Sequence, residues 1–282
     1  MLMANSWYED LNAYIRLGEP KLKKKAAAWQ TAIGLQAVDG LSVSDYLLKT
    51  AKENIEGKIT DNEANAQISN YYEDCCDRYA IEVGTKEADI VAGRIASLLA
   101  EKIFSFTPAF WMFVHRYLFK DIFMHAGKIR TYNIYKNEWV LNGKSVFYAS
   151  YDSIPMTMEY DFRTEAAFSY KNLSKDDISR HLAQFTCDIW QIHPFGEGNT
   201  RSTAVFLIKY LSSLGYSINQ ECFAKKSWYF RNALVRANYN DLPNDIHATT
   251  LYLESFFENL LFGGNNELKN RYLHIAWQYD QK

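Results

Sequence analysis

Apolar side chains recur every three or four residues over most of the chain, which is the spacing of helices that bury one face. In the first third, Gly40 and Gly57 follow such stretches as helix-terminating residues. Thr60 and Glu63 have the spacing of a capping box at the start of a further helix. The helices predicted here cover residues 21–39, a segment from Ser42 or Ser44 to about 56, and 60–72. We therefore expect a small helical unit over residues 1–80.

The helical spacing continues through the rest of the chain. Pro108 suits the first turn of a helix, and Ser174 suits the position just before one. Further helices are predicted over 85–104, 108–118, from about 153, 174–193, from the residues after 198 to about 215, 227–239, 248–261 and 266–276. The prediction is an all-α fold with a core domain over residues 81–262 and a C-terminal helix over 263–282.

One segment breaks the helical pattern. Residues 138–141 (EWVL) and 145–148 (SVFY) are rich in strand-forming side chains, and Asn142-Gly143 lies between them. This dipeptide tolerates the positive φ angles of a type I′ turn. The sequence therefore predicts a β-hairpin on an otherwise helical protein, and a lone hairpin needs support from the helical body.

Composition excludes some classes of function. Apolar residues make up 48% and charged residues 23% of the 282 residues, so the chain can bury a large core. The net charge of −2 gives no basis for binding nucleic acid, which requires clustered basic residues. Aromatic residues reach 16%, and we attribute them to core and interface packing, which makes a homodimer an open possibility.

We expect no membrane-spanning segment, because charged residues interrupt the most apolar stretches of the chain. We also expect no secretory signal, because the N-terminus does not have basic residues followed by an apolar stretch. We expect a cytoplasmic protein. Its cysteines, Cys75, Cys76, Cys187 and Cys222, form no CxxC pair, so reduced thiols are expected. Five histidines are expected to be structural, and no HxxxH or HExxH spacing indicates zinc: His115, His125, His181, His247 and His274.

The segment with the clearest chemistry is HPFGEGNTR, residues 193–201. Pro194 disfavours helical geometry at His193, so a helix should end there. Gly196 and Gly198 permit close backbone approach, and Asn199 or Thr200 can cap the following helix. A glycine-containing loop at a helix N-terminus offers free N–H groups to an anion.

Three side chains of this segment complete a site for phosphate-ester transfer. Arg201 adds a guanidinium suited to phosphate oxygens. Glu197 would be unfavourable beside bare phosphate, but it fits a site in which Mg²⁺ lies between carboxylate and phosphates. His193 is positioned as a general base.

The segment resembles the signature of the Fic family, HPFx(D/E)GNxRxxR. Two further segments are similar to family segments: HRYLFKDIFMHAGKIR (115–130) to a helix with an AGxxR turn, and WYFRNALVRAN (228–238) to a YxxAL helix. Arg130 of that turn could equally form a structural ion pair. The resemblance covers about residues 88–261, and it implies a helical core with an upstream hairpin, the flap.

The resemblance implies transfer of AMP from ATP, with Mg²⁺, to a Tyr, Ser or Thr hydroxyl of a target protein. His193 would be the base and Glu197 the metal ligand. The residues implied to bind the nucleotide and its phosphates are Phe195, Gly196, Gly198, Asn199, Thr200, Arg201, Tyr229 and Asn238. For Tyr229 and Asn238, ordinary helix packing is an equal alternative. The hairpin would dock an extended target segment through Val146, Phe147 and Tyr148.

Two positions depart from the family pattern. Thr200 replaces the Gly of many adenylylating members, and Ala204 replaces a second Arg that orients the outer phosphates. Members with an inhibitory N-terminal helix carry (S/T)xxxE(G/N), which here aligns with Leu35, Asp39 and Gly40. Asp39 could replace the inhibitory Glu and reach Arg201. A phosphotransferase with another donor and a non-catalytic peptide-binding protein are the alternative functions.

Overall fold

The structure, a computed structural model, describes residues 6–73 and 83–278. The predicted all-α class is confirmed there. The helices are α1 (Ser6–Leu17), α2 (Pro20–Gly34), α3 (Asp45–Ile55), α4 (Asp61–Glu73), α5 (Val83–Ala100), α6 (Pro108–Phe119), α7 (Ile154–Ala166), α8 (Lys175–Ile192), α9 (Asn199–Ser213), α10 (Glu221–Ala237) and α11 (Leu251–Phe262). Of these, α1 was not predicted from the sequence.

The described residues form two compact units. The first comprises the chain up to Ile103 together with Phe223–Ser227, and the second comprises Phe104–Cys222 and the chain from Trp228 onward. Helix α10 is bent at Lys226, where φ is −125° and ψ is 20°. The residues of α10 are therefore divided between the two units, and one of the divisions falls next to this bend.

The first unit is built from helices whose ends are fixed by local side chains. Ser44 Oγ accepts the Leu47 N–H at 3.1 Å, which caps α3. Thr60 and Glu63 form the predicted capping box, because the Thr60 N–H donates to Glu63 Oε2 at 2.7 Å and the Glu63 N–H to Thr60 Oγ1 at 3.2 Å. These caps place α3 and α4 where the sequence predicted them.

The segment Phe223–Ser227 packs tightly on α2 within the first unit. Ser227 Oγ donates to the Gly34 carbonyl at 2.6 Å. A Cβ atom at Gly34 would lie 2.4 Å from Ala224 Cα, so only glycine permits this approach. The ammonium of Lys225 lies 3.9 Å from the ring centroid of Tyr8.

The core of the second unit is largely aromatic. Trp111 of α6 lies against three other rings: Phe162 of α7, Phe195 of the loop between α8 and α9, and Phe206 of α9. The ring centroids are 5.7 to 6.4 Å from that of Trp111. All four side chains are buried. The aromatic richness of the sequence is thus used for the core, as predicted, and this core supports the loop between α8 and α9.

The predicted β-hairpin is wrong, although its turn is present. Asn142 (φ 53°) and Gly143 (φ 82°) have the expected positive angles, but Trp139–Leu141 is a 3-10 turn and no described residue lies in a β-strand. The cause is burial, because the neighbours Val140 and Leu141 are both fully buried. A strand directs successive side chains to opposite faces and cannot bury both on one side.

The C-terminal segment also differs from its prediction. Residues 266–276 form no α-helix, and the chain instead has two 3-10 segments, Asn270–Leu273 and Ile275–Gln278. Leu273 and Ile275 are both buried. Residues two apart lie on nearly opposite faces of an α-helix, so a continuous helix could not bury both against one surface.

Two remaining expectations concern membranes and thiols. Among residues 6–73 and 83–278, no helix is both long and apolar enough to cross a bilayer. Cys187 and Cys222 are buried and form no disulfide among the described residues, whereas Cys75 and Cys76 lie outside the described residues.

Candidate active site

The loop between α8 and α9 carries most of the residues on which the predicted chemistry depends. The residue after α8 is His193, whose backbone angles (φ 46°, ψ 59°) are left-handed. Gly198 (φ 75°) precedes α9, which begins at Asn199. The helix end before Pro194 and the helix start after the glycines are therefore where the sequence predicted them.

Neither predicted cap of α9 acts as one. Asn199 closes the loop instead, because its Oδ1 accepts the Phe195 N–H at 3.0 Å and its Nδ2 donates to the Phe195 carbonyl at 2.8 Å. Thr200 Oγ1 accepts a hydrogen bond from Trp190 Nε1 at 3.0 Å. Both side chains point back toward α8 and the loop, so α9 begins without a side-chain cap. Its first N–H groups suit an anion.

Arg130 holds the end of α8 through backbone carbonyls. Its Nε donates to the His193 carbonyl at 2.8 Å, and its Nη2 donates to the carbonyls of Ile192 and Ala149. Its backbone N–H donates to the Pro194 carbonyl at 2.8 Å. A buried guanidinium is well placed at a helix C-terminus, where carbonyl groups lack helical partners. Among the described residues, Arg130 thus bonds backbone carbonyls and forms no ion pair.

His115 of α6 fixes the middle of the loop. Its Nδ1 accepts the Gly127 N–H at 2.8 Å, so the proton lies on Nε2, which donates to the Glu197 carbonyl at 2.9 Å. The ring stacks on Phe195 with centroids 3.7 Å apart. Burial lowers the pKa of His115 from 6.5 to about 3, which keeps the ring neutral. The structural role predicted for this residue is confirmed.

The imidazole of His193 is buried and is held by a single hydrogen bond to the backbone. It is 3% exposed, and its Nδ1 lies 2.9 Å from the Trp190 carbonyl, which can only accept, so Nδ1 carries a proton. No other described residue bonds the ring. Burial, and then the charge of Lys136, lower its pKa well below 6.5. The neutral ring therefore keeps a lone pair on Nε2. Tyr148 lies against it, with ring centroids 4.2 Å apart.

Glu197 is the one exposed residue between 192 and 204. Its side chain is 56% exposed, and Oε2 lies 2.7 Å from the Lys136 ammonium. The described residues contain no group of three or more potential metal ligands. A single accessible carboxylate nevertheless fits Mg²⁺, which commonly takes its other ligands from water and substrate phosphates.

Neighbouring side chains lie close to both glycines of the loop. A Cβ at Gly198 would lie 2.4 Å from the Phe119 ring, and one at Gly196 would lie 2.8 Å from the Tyr132 hydroxyl. Arg201 is buried in α9, with its guanidinium carbon 4.8 Å from the centroid of Phe119. The glycines thus bring the loop and the start of α9 against these aromatic rings.

Two residues predicted to border the nucleotide contact other helices. Tyr229 is buried, and its hydroxyl donates to the Tyr252 carbonyl at 3.1 Å. The amide of Asn238 donates to the Leu234 carbonyl of its own helix at 3.0 Å and to the Cys187 carbonyl of α8 at 3.4 Å. Among these residues the arrangement is the helix packing that was the alternative prediction, and a nucleotide contact stays a prediction.

The three predicted docking residues differ in exposure. Val146 is buried, Tyr148 is half-buried, and Phe147 is 86% exposed. Gln191 of α8 anchors this segment, because its Nε2 donates to the Phe147 carbonyl at 3.0 Å. Asp39 belongs to the first unit, where it is exposed.

Sequence reasoning missed a buried ion pair close to this segment. The carboxylate of Glu138 is fully buried and pairs with both Nη atoms of Arg231, at 2.5 and 3.0 Å. It also accepts a hydrogen bond from the Tyr148 hydroxyl at 3.3 Å. No local motif indicates this pair, because its members are 93 positions apart.

Fold and site together define an all-helical protein in which a glycine-containing loop and a buried histidine lie between two helices. Residues 105–211 match the family model described as Fic/DOC family. This segment of the chain is therefore similar to the Fic/DOC family.

Two curated relatives are similar to about half of the chain. "Probable protein adenylyltransferase y4lH" of Sinorhizobium fredii is 28% identical over 130 residues, covering 46% of this chain and 64% of the relative. "Probable protein adenylyltransferase Fic" of Salmonella typhimurium is 24% identical over 135 residues, covering 48% and 62%. The chain thus spans less than two thirds of the length of these relatives.

A solved structure shows the same fold. The N-terminal FIC domain of Bep8 protein from Bartonella sp. 1-1C superposes with a TM-score of 0.50 at 16% identity. The match covers 65% of this chain and 88% of that domain.

Proposed function

We propose that this protein transfers AMP from ATP to the hydroxyl group of a Tyr, Ser or Thr side chain in a target protein. The names of the curated relatives support adenylyl transfer. The observation that carries the proposal is the orientation of His193, whose Nδ1–H is bound to the Trp190 carbonyl while Nε2 keeps its lone pair.

The proposed reaction is a single displacement at phosphorus. Nε2 of His193 accepts the proton of the target hydroxyl as its oxygen bonds to the α-phosphorus of ATP. The bond from that phosphorus to the bridging oxygen of the β-phosphate breaks, and pyrophosphate leaves with the electron pair. The Trp190 carbonyl stabilises the protonated ring through Nδ1–H.

The phosphates would be bound at the start of α9. The uncapped N–H groups there and the positive end of the helix dipole favour negative charge. Arg201 contributes a fixed positive charge in the first turn. Glu197 would hold Mg²⁺, which when bound neutralises phosphate charge.

The target segment would bind at residues 146–148. The exposed Phe147 ring offers an apolar contact, and the bond from Gln191 fixes the backbone beside it. Because His193 lies against Tyr148, a target docked here would have its hydroxyl close to the base.

A second candidate is transfer from a different phosphate donor. Ala204 is fully buried in α9, so no cation at that position binds outer phosphates. A donor with fewer phosphates would need no such cation. We also propose that the first unit inhibits transfer through Asp39. More transfer of labelled AMP by the Asp39→Ala variant than by the wild type would support this.

The test uses ATP labelled separately at the α- and γ-phosphates, with Mg²⁺ and the purified chain. Incorporation from the α label alone, identified as an AMP mass increment, supports the proposal. Incorporation from the γ label alone supports phosphate transfer. His193→Ala should abolish labelling, whereas His247→Ala, at an exposed position, should not. Equal labelling of wild type and His193→Ala would contradict the proposal.

A further inference from the structure

The ion pair between Lys136 and Glu197 joins two parts of the second unit that are far apart in sequence. The ammonium lies 2.7 Å from Glu197 Oε2. The Lys136 side chain is only 23% exposed, although it carries a charge. The carboxylate in this pair is the proposed ligand of Mg²⁺.

The backbone of Lys136 is held by a hydrogen bond. Its N–H donates to Ser145 Oγ at 3.1 Å, which ties it to the segment before the docking residues. Six residues earlier, Arg130 is fixed to the end of α8. The long, flexible side chain of Lys136 therefore starts from an anchored position near the loop.

Lys136 also lies close enough to His193 to affect it. After burial, its charge is the largest cause that lowers the pKa of His193. One ammonium thus interacts with the proposed base and with the proposed metal ligand. In the proposed reaction, the phosphate chain has to lie beside both of these groups.

Position 204 supplies no positive charge to this site. Ala204 occupies the position at which a second arginine would contact the outer phosphates, and it is fully buried. A positive charge from another element would have to replace it, and Lys136 is the cation in contact with the exposed carboxylate of the loop.

We propose that Lys136 is a phosphate-binding residue that pairs with Glu197 when no nucleotide is bound and contacts the nucleotide phosphates when the carboxylate holds Mg²⁺. This inference rests on the proposed function. The exchange costs little, because partly exposed ion pairs contribute little stability. A phosphate group accepts charge-assisted hydrogen bonds from the three ammonium donors.

The test is the equilibrium affinity of ATP and of adenosine, measured by calorimetry with Mg²⁺ and with EDTA. Lys136→Met should weaken ATP binding by roughly tenfold and leave adenosine binding unchanged, since a charge-assisted hydrogen bond is lost. Lys136→Arg should retain most of the ATP affinity.

Lys144→Met is the matched control. Lys144 lies eight residues after Lys136, and its ammonium is 2.6 Å from Asp241 Oδ2. Lys144→Met therefore also breaks one lysine-carboxylate pair. Its ATP affinity should equal that of the wild type. A similar loss in both variants would overturn the proposal, because it would reflect altered structure of the segment.

A double-variant cycle with Glu197→Gln isolates the exchange. With EDTA present, the effect of Lys136→Met on ATP affinity should be larger in the Glu197→Gln background, where the ammonium is no longer paired. Unchanged ATP affinity of Lys136→Met beside a wild type that binds ATP would overturn this inference alone. A wild type that binds no ATP with or without Mg²⁺ would overturn both this inference and the proposed function.

Discussion

Two buried histidines with opposite tautomers determine the chemistry of the loop. His115 carries its proton on Nε2, which donates a hydrogen bond to the Glu197 carbonyl, whereas His193 carries its proton on Nδ1. Both rings are kept neutral by burial. One ring therefore supports the loop, and the other presents a lone pair.

The pH dependence of transfer should reflect the low pKa of His193. The proposed base would be active when neutral, and a lowered pKa keeps His193 neutral at pH values where an ordinary histidine is protonated. We expect the initial rate of label transfer to stay constant as the pH falls from 8 through 6.5 and to decline only below that. A decline with a midpoint at 6.5 would show that the ring is not buried in the reacting state.

The stability of the fold should depend on His115 in acid. Its folded pKa of about 3 is below its unfolded value of 6.5, so the unfolded chain binds more protons between these pH values. The free energy of unfolding should therefore fall with decreasing pH, by up to about 1.4 kcal/mol per pH unit from this group.

Urea unfolding from pH 7 to 4 measures this contribution. His115→Gln removes the titrating group, so its free energy of unfolding should be lower at pH 7 but should decline less steeply toward pH 4. His247→Gln, at an exposed position, is the control and should follow the wild type. Parallel slopes for wild type and His115→Gln would contradict the assignment.

At the scale of elements, the sequence predicted the helix caps correctly, but it did not indicate contacts between residues far apart in the chain. The caps Ser44, Thr60 and Ser174 were predicted because each bond joins residues three positions apart. The hairpin failed because Glu138 is held by Arg231, 93 positions away, and adjacent apolar side chains are buried. The same limit hid the contact of His115 with the loop, 82 positions away.

The start of α9 can be tested with two glycines of the same backbone type. Gly198 (φ 75°) and Gly143 (φ 82°) both have positive φ, so alanine at either position should cost about 1 kcal/mol of backbone strain. A Cβ at Gly198 would also meet Phe119 at 2.4 Å, whereas nothing lies within 4 Å of one at Gly143.

We therefore expect Gly198→Ala to reduce the free energy of unfolding by roughly 1–3 kcal/mol more than Gly143→Ala. Chemical denaturation of the two variants measures the difference. If both variants lost the same free energy of unfolding, the loop and Phe119 would be able to move apart without destabilising the fold.

At the scale of the whole molecule, the chain does not divide at a single point. The first unit is completed by Phe223–Ser227, and the bond from Ser227 to Gly34 joins residues 193 positions apart. No composition shift or linker in the sequence indicates this arrangement, which depends on a contact between distant small residues.

The contact can be tested at Gly34. Gly34→Ala would place a methyl group 2.4 Å from Ala224 Cα and should lower the free energy of unfolding by roughly 1–3 kcal/mol. Gly84→Ala, also in a helix but with only Leu41 Cδ2 at 3.4 Å, should instead stabilise by up to about 1 kcal/mol. Thermal unfolding compares the two, and stabilisation by both would exclude tight packing of α2 on this segment.

The shared helix α10 has a consequence for inheritance. A single recombination crossover near residue 104 would exchange nearly all of the first unit but leave Phe223–Ser227 with the recipient gene. The recombinant protein would then combine Gly34 and its helix from one parent with Phe223–Ser227 from the other. We therefore expect these two segments to be inherited together and to vary together in sequence.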